Sequence, residues 1–527
     1  MARTIAELSW EIQRQIGVLI DRGGYVRYAM VGGPLGIWIP DLSAYRLGKG
    51  PRLRGLRLVH THLKGEPLNH DDLTDLALLR LDLVAAIQVL SNGLPGNLWG
   101  AHLIPLNENG HSWQCWKPQP VAHVDFDCRQ MIHALEEEFS RTYPRRESTD
   151  HRDRAILVHA SSAPKSVIED SLNELADLST TAGVVVLDKI AQRRHEFDPR
   201  FLMGREKLMD LSIRAFQRGA DLLIFDQELN PSQMRSIADL TELRVIDRTQ
   251  LILDIFAQRA HSREGKLKVE LAQLKYLLPR LTAHDSGLSR LTGGIGGRGP
   301  GETKLEIDRR KVRDRISRLG RELKALDRSR GIRRVLREKN RIPVVSIIGY
   351  TNVGKSTLLN ALTKSQVYVE NKLFATLDPA SRRLRLPRDR NIIVTDTVGF
   401  IRNLPKDLID AFRATLEELK DADLLLHVID ISHPRFEEQM RAVEKLLEDL
   451  GLSQTPLLRV FNKIDRVDPG SVEELCLAFN AVALSALDPR TFSPLLEKID
   501  AWLSRMEKEV SLAKESFGPY PPMPQPV

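Results

Sequence analysis

The chain has 527 residues, 42% hydrophobic and 28% charged, with a formal net charge of +7. That length holds three or four domains, each large enough for its own core, and the composition is that of a globular protein rather than a disordered or fibrous one. No apolar run approaches the roughly 20 residues of a membrane span and the first residues lack a charged-then-apolar leader, while the scattered Cys115, Cys128 and Cys476 fit a reducing cytoplasm and argue against a disulfide framework or a cysteine zinc site.

Residues 1–150 read as a foldable extension, with strand-like residues from Val26 to Ile39, a strand at Leu56-Arg57-Leu58-Val59 and a helix-like run from Leu73 to Leu90. The segment from Val59 to Asp72 contains His60-Thr61-His62 at a strand end and an acid about ten residues on. Imidazoles two apart on a strand share a face and can meet one metal ion. This pattern resembles, weakly, the zinc-ligand run of JAMM-type metalloproteases, closest in its RadC form. The resemblance implies an aspartate one position beyond Asp72, where Leu73 stands, and an upstream glutamate, for which Glu7 and Glu11 are the candidates. A degenerate scaffold or interaction module is the plainer reading, and a metal-dependent peptidase is the alternative.

A polar, basic linker at 141–149 leads to an α/β domain at 151–255. Residues 256–341 then carry two apolar stripes at helical spacing. The first is Leu267, Leu271, Leu274, Leu278 and Leu281; the second is Leu305, Val312, Ile316, Leu319, Leu323 and Leu326. A glycine-rich stretch from Thr292 to Gly301 separates them, which predicts an antiparallel helical hairpin with a bendable tip. From Lys304 to Arg341 there are sixteen Lys and Arg against six Asp and Glu. A solvated face is the usual meaning of such a run. The size of the excess beside an arginine-bearing tip favours phosphate-rich RNA, with Arg298, Arg309, Arg310 and Lys311 as candidate contacts. Interleaved aromatics are missing, so backbone and shape recognition fit better than base reading.

Residues 342–508 carry the chemistry. Gly349, Tyr350, Thr351, Asn352, Val353, Gly354, Lys355 and Ser356, followed by Thr357, form a G-x-x-x-x-G-K-S phosphate loop between an apolar strand and a helix. Lys355 is placed for the β- and γ-phosphates, and Ser356 for Mg²⁺. A second strand delivers Asp396, Thr397, Val398 and Gly399, with Asp396 facing Mg²⁺ and the Gly399 N–H facing the γ-phosphate. Between them, Phe374, Ala375, Thr376 and Leu377 supply a switch segment in which Thr376 completes the Mg²⁺ shell; Thr395 and Thr397 are its rivals. Asn462, Lys463 and Asp465, then Ser485, Ala486 and Leu487, fit the guanine loops, and Asp465 can accept the paired donors of guanine that adenine lacks. Catalysis is assigned to Asn352, Lys355, Thr376 and Gly399. Phe400 stands where Ras-like proteins orient water with glutamine, so slow intrinsic hydrolysis is expected. Residues 509–527 form a proline-rich tail read as disordered.

From Ala155 to Ser504 the chain resembles the HflX GTPases. The resemblance is carried by Gly293-Gly294-Ile295-Gly296 with Gly299-Pro300-Gly301-Glu302-Thr303, by Ile224 to Gln233, by Asp247 to Asp254, and by Phe374 to Pro379 with Asp396 to Phe400. Ala380 replaces the usual threonine, and Arg205 interrupts a Gly-Lys-Gly-Lys-like run. The resemblance implies a multidomain α/β protein: an α/β domain, a helical hairpin and a P-loop GTPase domain. It implies binding of GTP and GDP with Mg²⁺, and K⁺ at Asn352 as a further candidate ion. It also implies a monomeric, cytoplasmic, partly ribosome-associated protein that binds the large ribosomal subunit and its RNA and splits or rescues stalled ribosomes under stress. A GTP-gated ribosome-assembly factor is the nearest alternative.

Overall fold

The computed structural model describes residues 1–42, 45, 53–105, 112–125, 127–142, 152–281, 304–340, 342–363, 374, 380–397, 399–401 and 417–516. They form two compact units, 1–248 and 249–527. No described helix is long and apolar enough to cross a membrane.

The first unit contains two sheets. Helix α1 (Ala2–Ile12) precedes strands β1 (Ile16–Asp21), β2 (Val26–Val31) and β3 (Leu56–His62). Helix α2 (His70–Leu78), strands β4 (Leu83–Val89), β5 (Pro95–Leu103), β6 (Trp113–Cys115) and β7 (Gln119–Pro120), and helix α3 (Cys128–Thr142) follow. The sheet order is β2-β1-β3-β4-β5-β6, with β7 also on β5. The helix expected from Leu73 to Leu90 is therefore corrected: it ends at Leu78, and β4 begins at Leu83. Val84 and Ala86 are fully buried and Ala85 nearly so. A run buried on both faces shows no alternation, so periodicity alone cannot separate it from a helix.

The second sheet is wholly parallel. It runs β8 (Arg154–Ser161), α4 (Lys165–Thr181), β9 (Val185–Arg193), α5 (Arg205–Arg218), β10 (Leu222–Phe225), α6 (Pro231–Thr241) and β11 (Arg244–Asp247), ordered β11-β10-β8-β9. The two sheets share a core. Ile213 and Phe216 of α5 pack with Leu56, Leu76 and Phe139, and the Phe139 and Phe216 rings lie 5.2 Å apart. Arg54, buried, reaches Glu242 at 2.5 Å.

In the second unit, α7 (Arg248–Arg259) leads to α8 (Arg263–Leu277), which packs along α9 (Lys304–Asn340). At 1.5 Å per residue, α9 is about 55 Å long. The predicted leucine stripe on α8 is displaced. Gly265, Lys268, Val269, Ala272 and Tyr276 are buried, while Leu267, Leu271 and Leu274 are half-buried beside them. The buried positions include the small residues Gly265 and Ala272, and the larger leucines sit at the flanks. On α9, Leu319 is fully buried, and Val312, Ile316, Leu323 and Leu326 are half-buried among exposed charges.

The remaining sheet is β13-β14-β12-β15-β16-β17. Its elements are β12 (Val344–Gly349), α10 (Lys355–Thr363), β13 (Ala380–Arg385), β14 (Asn391–Asp396), β15 (Leu424–Asp430), α11 (Phe436–Asp449), β16 (Leu457–Asn462), α12 (Pro469–Phe479), β17 (Val482–Ala483) and α13 (Ser493–Ser516). All pairings are parallel except β13 on β14. This sheet brings the carboxyl ends of β12, β14 and β16 to one edge.

Candidate functional site: a nucleotide pocket

Buried Val345, Ile347 and Ile348 anchor β12, and the chain turns at Gly349 into α10. Gly349 has φ +150°, and a Cβ there would lie 2.2 Å from the Val428 carbonyl oxygen. Gly354, at φ +95°, passes so close to Asn462 that a Cβ would meet its Nδ2 at 2.4 Å. Asn352 adopts φ +61° with an exposed side chain, while Tyr350, Thr351 and Val353 are buried. Lys355 opens α10. Its Nζ is buried and donates to the Tyr350 carbonyl at 2.7 Å. Burial lowers its pKa to about 8, against the pull of Asp396. A helix N-terminus with an adjacent ammonium is an anion cradle.

Asp396 ends β14 fully buried, and its Oδ2 accepts the Ser356 hydroxyl at 2.5 Å. A buried carboxylate beside a hydroxyl at the mouth of this loop suits a hard divalent cation with oxygen ligands. Thr397 donates to the Ile347 carbonyl at 2.7 Å, and Thr395 meets Ser381 at 3.0 Å. Both rivals of Thr376 are thus engaged in holding strands together. Gly399 sits against the phosphate loop: a Cβ would lie 2.9 Å from Lys355 Nζ and 3.0 Å from the Thr351 Cα. Phe400 is bonded to the loop on both sides, its N–H donating to Gly349 O at 3.0 Å and its carbonyl accepting from Thr351 N–H at 2.7 Å. Its ring is buried, so it is a packing residue and not a water-orienting one. Phe374 is buried at φ +54° and meets Phe256 of α7 edge-on at 4.7 Å. Ala375, Thr376, Leu377 and Val398 lie outside the described residues.

Asn462 works inside the protein. Its Nδ2 donates to the Val353 carbonyl at 2.7 Å, and its Oδ1 accepts the Ala486 N–H at 2.8 Å, so one amide ties the phosphate loop to the base loop. Lys463, at φ +62°, donates to the Asn352 carbonyl at 2.9 Å and pairs with Asp430 at 2.6 Å. Asp465 Oδ1 accepts the Ser485 hydroxyl at 2.6 Å, its Oδ2 lies 3.9 Å from Arg466 Nε, and the carboxylate remains partly exposed, where a base can reach it. Ser485 N–H donates to Thr491 at 3.0 Å, while Leu487 is 75% exposed and can serve as a lid over a planar ring. The sequence reading missed Asp430 and Thr491, since neither belongs to a contiguous motif.

Elsewhere the assignments divide. Arg309 Nε donates to the Leu281 carbonyl at 2.8 Å and the residue is half-buried. Arg310 and Lys311 are exposed on α9, with Lys311 3.7 Å from Asp308. Arg298 lies outside the described residues. In the first unit the expectation that the acid partner falls at position 73 is corrected: Asp72 itself reaches both His60 and His62. Glu7 is paired with Arg3 at 2.8 Å and Glu11 is exposed, so α1 does not supply the upstream glutamate. A network not foreseen from sequence sits at the carboxyl ends of β8 and β10, where the strand order switches. His159 Nδ1 lies 2.7 Å from Asp226, which also takes Ser171 at 2.6 Å and Arg248 at 2.7 Å, and Arg248 continues to Glu174 at 2.5 Å. Burial alone would raise Asp226, but the His159 hydrogen bond and the Arg248 charge hold it below the usual range.

Residues 169–257, 259–337 and 344–463 match, in turn, families described as GTP-binding GTPase N-terminal, GTP-binding GTPase Middle Region and 50S ribosome-binding GTPase. The GTPase HflX of Caldanaerobacter subterraneus subsp. tengcongensis is 53% identical over 317 residues, covering 60% of this chain and 74% of that one. The GTPase HflX of Escherichia coli is 46% identical over 319 residues, covering 60% and 75%. Among solved structures, a GTP-binding protein from Sulfolobus solfataricus in complex with GDP is 25% identical, covers 67% of this chain and 99% of its own, and has a TM-score of 0.38. The extent of the match to the curated relatives establishes that the chain belongs to the HflX GTPase family and is a GTP-hydrolysing enzyme.

Proposed function

We propose that this GTPase binds the large ribosomal subunit and promotes splitting or rescue of stalled ribosomes, acting in the cytoplasm as a monomer. The observation that carries the reading is the union, in one chain, of a guanine-nucleotide pocket with a basic helix of 37 residues whose exposed face includes Arg310 and Lys311. A thin hairpin of that length can enter grooves of folded RNA that a globular domain cannot, and phosphate neutralisation gives it affinity without base reading.

In this reading Gly349 to Thr357 wrap the phosphates, Lys355 holds the β/γ oxygens, and Asp465 with Ser485 reads the guanine edge. Ser356, Thr376 and Asp396 hold Mg²⁺, which when bound supplies charge compensation on the phosphate oxygens. Gly399 presents its N–H to the γ-phosphate. Asn352, with its side chain facing outward, is the residue assigned to a K⁺ ion. GTP orders the segments around Thr376 and Gly399 and favours the ribosome-bound form; hydrolysis releases them.

The test is GTP turnover at low protein concentration, with and without purified large subunits, in K⁺ and then in Na⁺. Strong stimulation that disappears on deleting 293–301 supports the reading. Absence of stimulation by mature subunits, with stimulation by assembly precursors, would replace it with an assembly role. Equal rates in the two salts would remove the K⁺ assignment.

A further inference from the structure

The first unit holds a second constellation that the GTPase does not use. His60 and His62 are both fully buried on one face of β3, and Asp72 is brought to them by the first turn of α2. The two Nε2 atoms are 2.9 Å apart; Asp72 Oδ1 lies 3.2 Å from His60 Nε2, and Oδ2 lies 3.5 Å from His62 Nε2. Two ligand atoms each about 2.05 Å from a tetrahedral ion stand about 3.3 Å apart, so these three separations are close to the edges of one coordination face.

The surroundings orient two of the three donors, His62 and Asp72, while His60 Nδ1 is buried with no hydrogen-bond partner among the described residues. His62 Nδ1 meets the Glu66 carbonyl at 2.9 Å; a carbonyl only accepts, so the proton is on Nδ1 and the Nε2 lone pair points inward. Asp72 is locked by a capping box, its Oδ2 accepting Asn69 N–H at 2.8 Å and its own N–H donating to Asn69 at 2.9 Å. On the opposite face of β3, Thr61 is bonded to Ser9 at 2.8 Å and to the Ile16 N–H at 2.9 Å, which pins the strand end. Glu66 Oε2 is buried with no hydrogen-bond partner among the described residues, and its carboxylate acts on His60.

We propose that His60, His62 and Asp72 bind one divalent first-row transition ion, zinc in the first instance, with a further coordination position left for water or another ligand. The site is independent of the nucleotide pocket and of the ribosomal reading.

The experiment uses the full-length protein, stripped with a chelator and dialysed against Zn²⁺ in the presence of excess Mg²⁺ and GDP, followed by elemental analysis and competition with a chromogenic chelator. One zinc per chain is expected. His60→Gln with His62→Gln weakens binding by about a hundredfold or more, and Asp72→Asn, whose amide oxygen can still cap Asn69, weakens it strongly on its own. Cobalt substitution gives the intense visible absorption of a four-coordinate site in the wild type and not in Asp72→Asn. If the histidine variant does not fold, Asp72→Asn carries the test. Zinc stoichiometry and affinity unchanged in the variants, or no zinc retained by the wild type, overturns the proposal; iron retained in place of zinc at the same three residues supports the site and changes only the ion.

Discussion

Asn462 offers the sharpest test of how the pocket is built. It is 1% exposed and satisfies two backbone groups that belong to different loops, the Val353 carbonyl and the Ala486 N–H. Asn462→Ala orphans both. Each buried unpaired group costs about 1–3 kcal/mol, and water entering the small cavity returns part of that, so a net loss of about 3 kcal/mol is expected. At about 1.4 kcal/mol per tenfold, nucleotide affinity falls by about 150-fold. The loss is the same for GDP and GTP, because neither bond senses the γ-phosphate. Asn462→Asp is expected to be at least as damaging: it keeps an acceptor for Ala486 but sets a carboxylate oxygen against the Val353 carbonyl. Fluorescence titration with labelled GDP and GTP measures both. A loss under fivefold, or one confined to GTP, would refute the idea that this amide organises the pocket.

Gly399→Ala places a methyl 2.9 Å from Lys355 Nζ and 3.0 Å from backbone; turnover is expected to fall by about a hundredfold with GDP affinity much less affected, as single-turnover assays would reveal. Lys355 has a pKa of about 8 in the free protein, and bound phosphate raises it. Binding therefore takes up a proton above pH 8, and the GTP Kd should rise about fivefold between pH 8 and pH 9; a flat profile contradicts this. His427, buried on β15, is held down to about 3 by burial, reinforced by Arg459 and Lys355. Its depressed pKa means that its contribution to stability is whole above pH 6.5 and is lost as pH falls toward 3. At pH 5 the GTPase domain should be about 2 kcal/mol less stable on this account, and His427→Gln should flatten that dependence in denaturant titrations. Phe256→Ala removes an edge-on ring pair worth about 1 kcal/mol; intrinsic GTP turnover should survive while stimulation by large subunits drops, and unchanged stimulation would dissociate α7 from the switch.

What the sequence made legible was whatever is local. The phosphate loop, the strand before Asp396 and the Asn462 and Ser485 loops are contiguous motifs flanked by apolar runs, so spacing alone identifies them. The long basic helix follows from its period. Legibility failed where the decisive contact joins distant segments or where a pattern is degenerate. Val84 to Ile87 read as helix because an all-apolar run has no alternation to betray a strand buried on both faces. The resemblance puts the acid one position beyond Asp72, yet the capping box at Asn69 turns the start of α2 so that the Asp72 carboxylate faces the imidazoles. The His159, Asp226 and Arg248 network joins residues far apart in the chain, and only the switch in strand order brings them together.

The same distinction explains why the motif residues divide into two kinds of work. Lys355, Ser356, Asp396 and Gly399 converge at the mouth of the phosphate loop, the space that the proposed function gives to phosphates and their cation. Asn462, Lys463, Ser485, Thr397 and Phe400 bond to protein groups, tying the base loops and β14 to the phosphate loop. A pocket held this way is stiff around the base and the inner phosphates. Beside the switch segment, Phe374 is buried on Phe256 in the helix that leads into α8. An event at the γ-phosphate that shifts the chain following Phe374 would therefore be felt in α7 and α8, because the base side is braced and, among the described residues, this aromatic contact leads from the pocket to the helix before the hairpin. That asymmetry is the physical basis for expecting the hairpin to respond to hydrolysis while the guanine loops hold their grip.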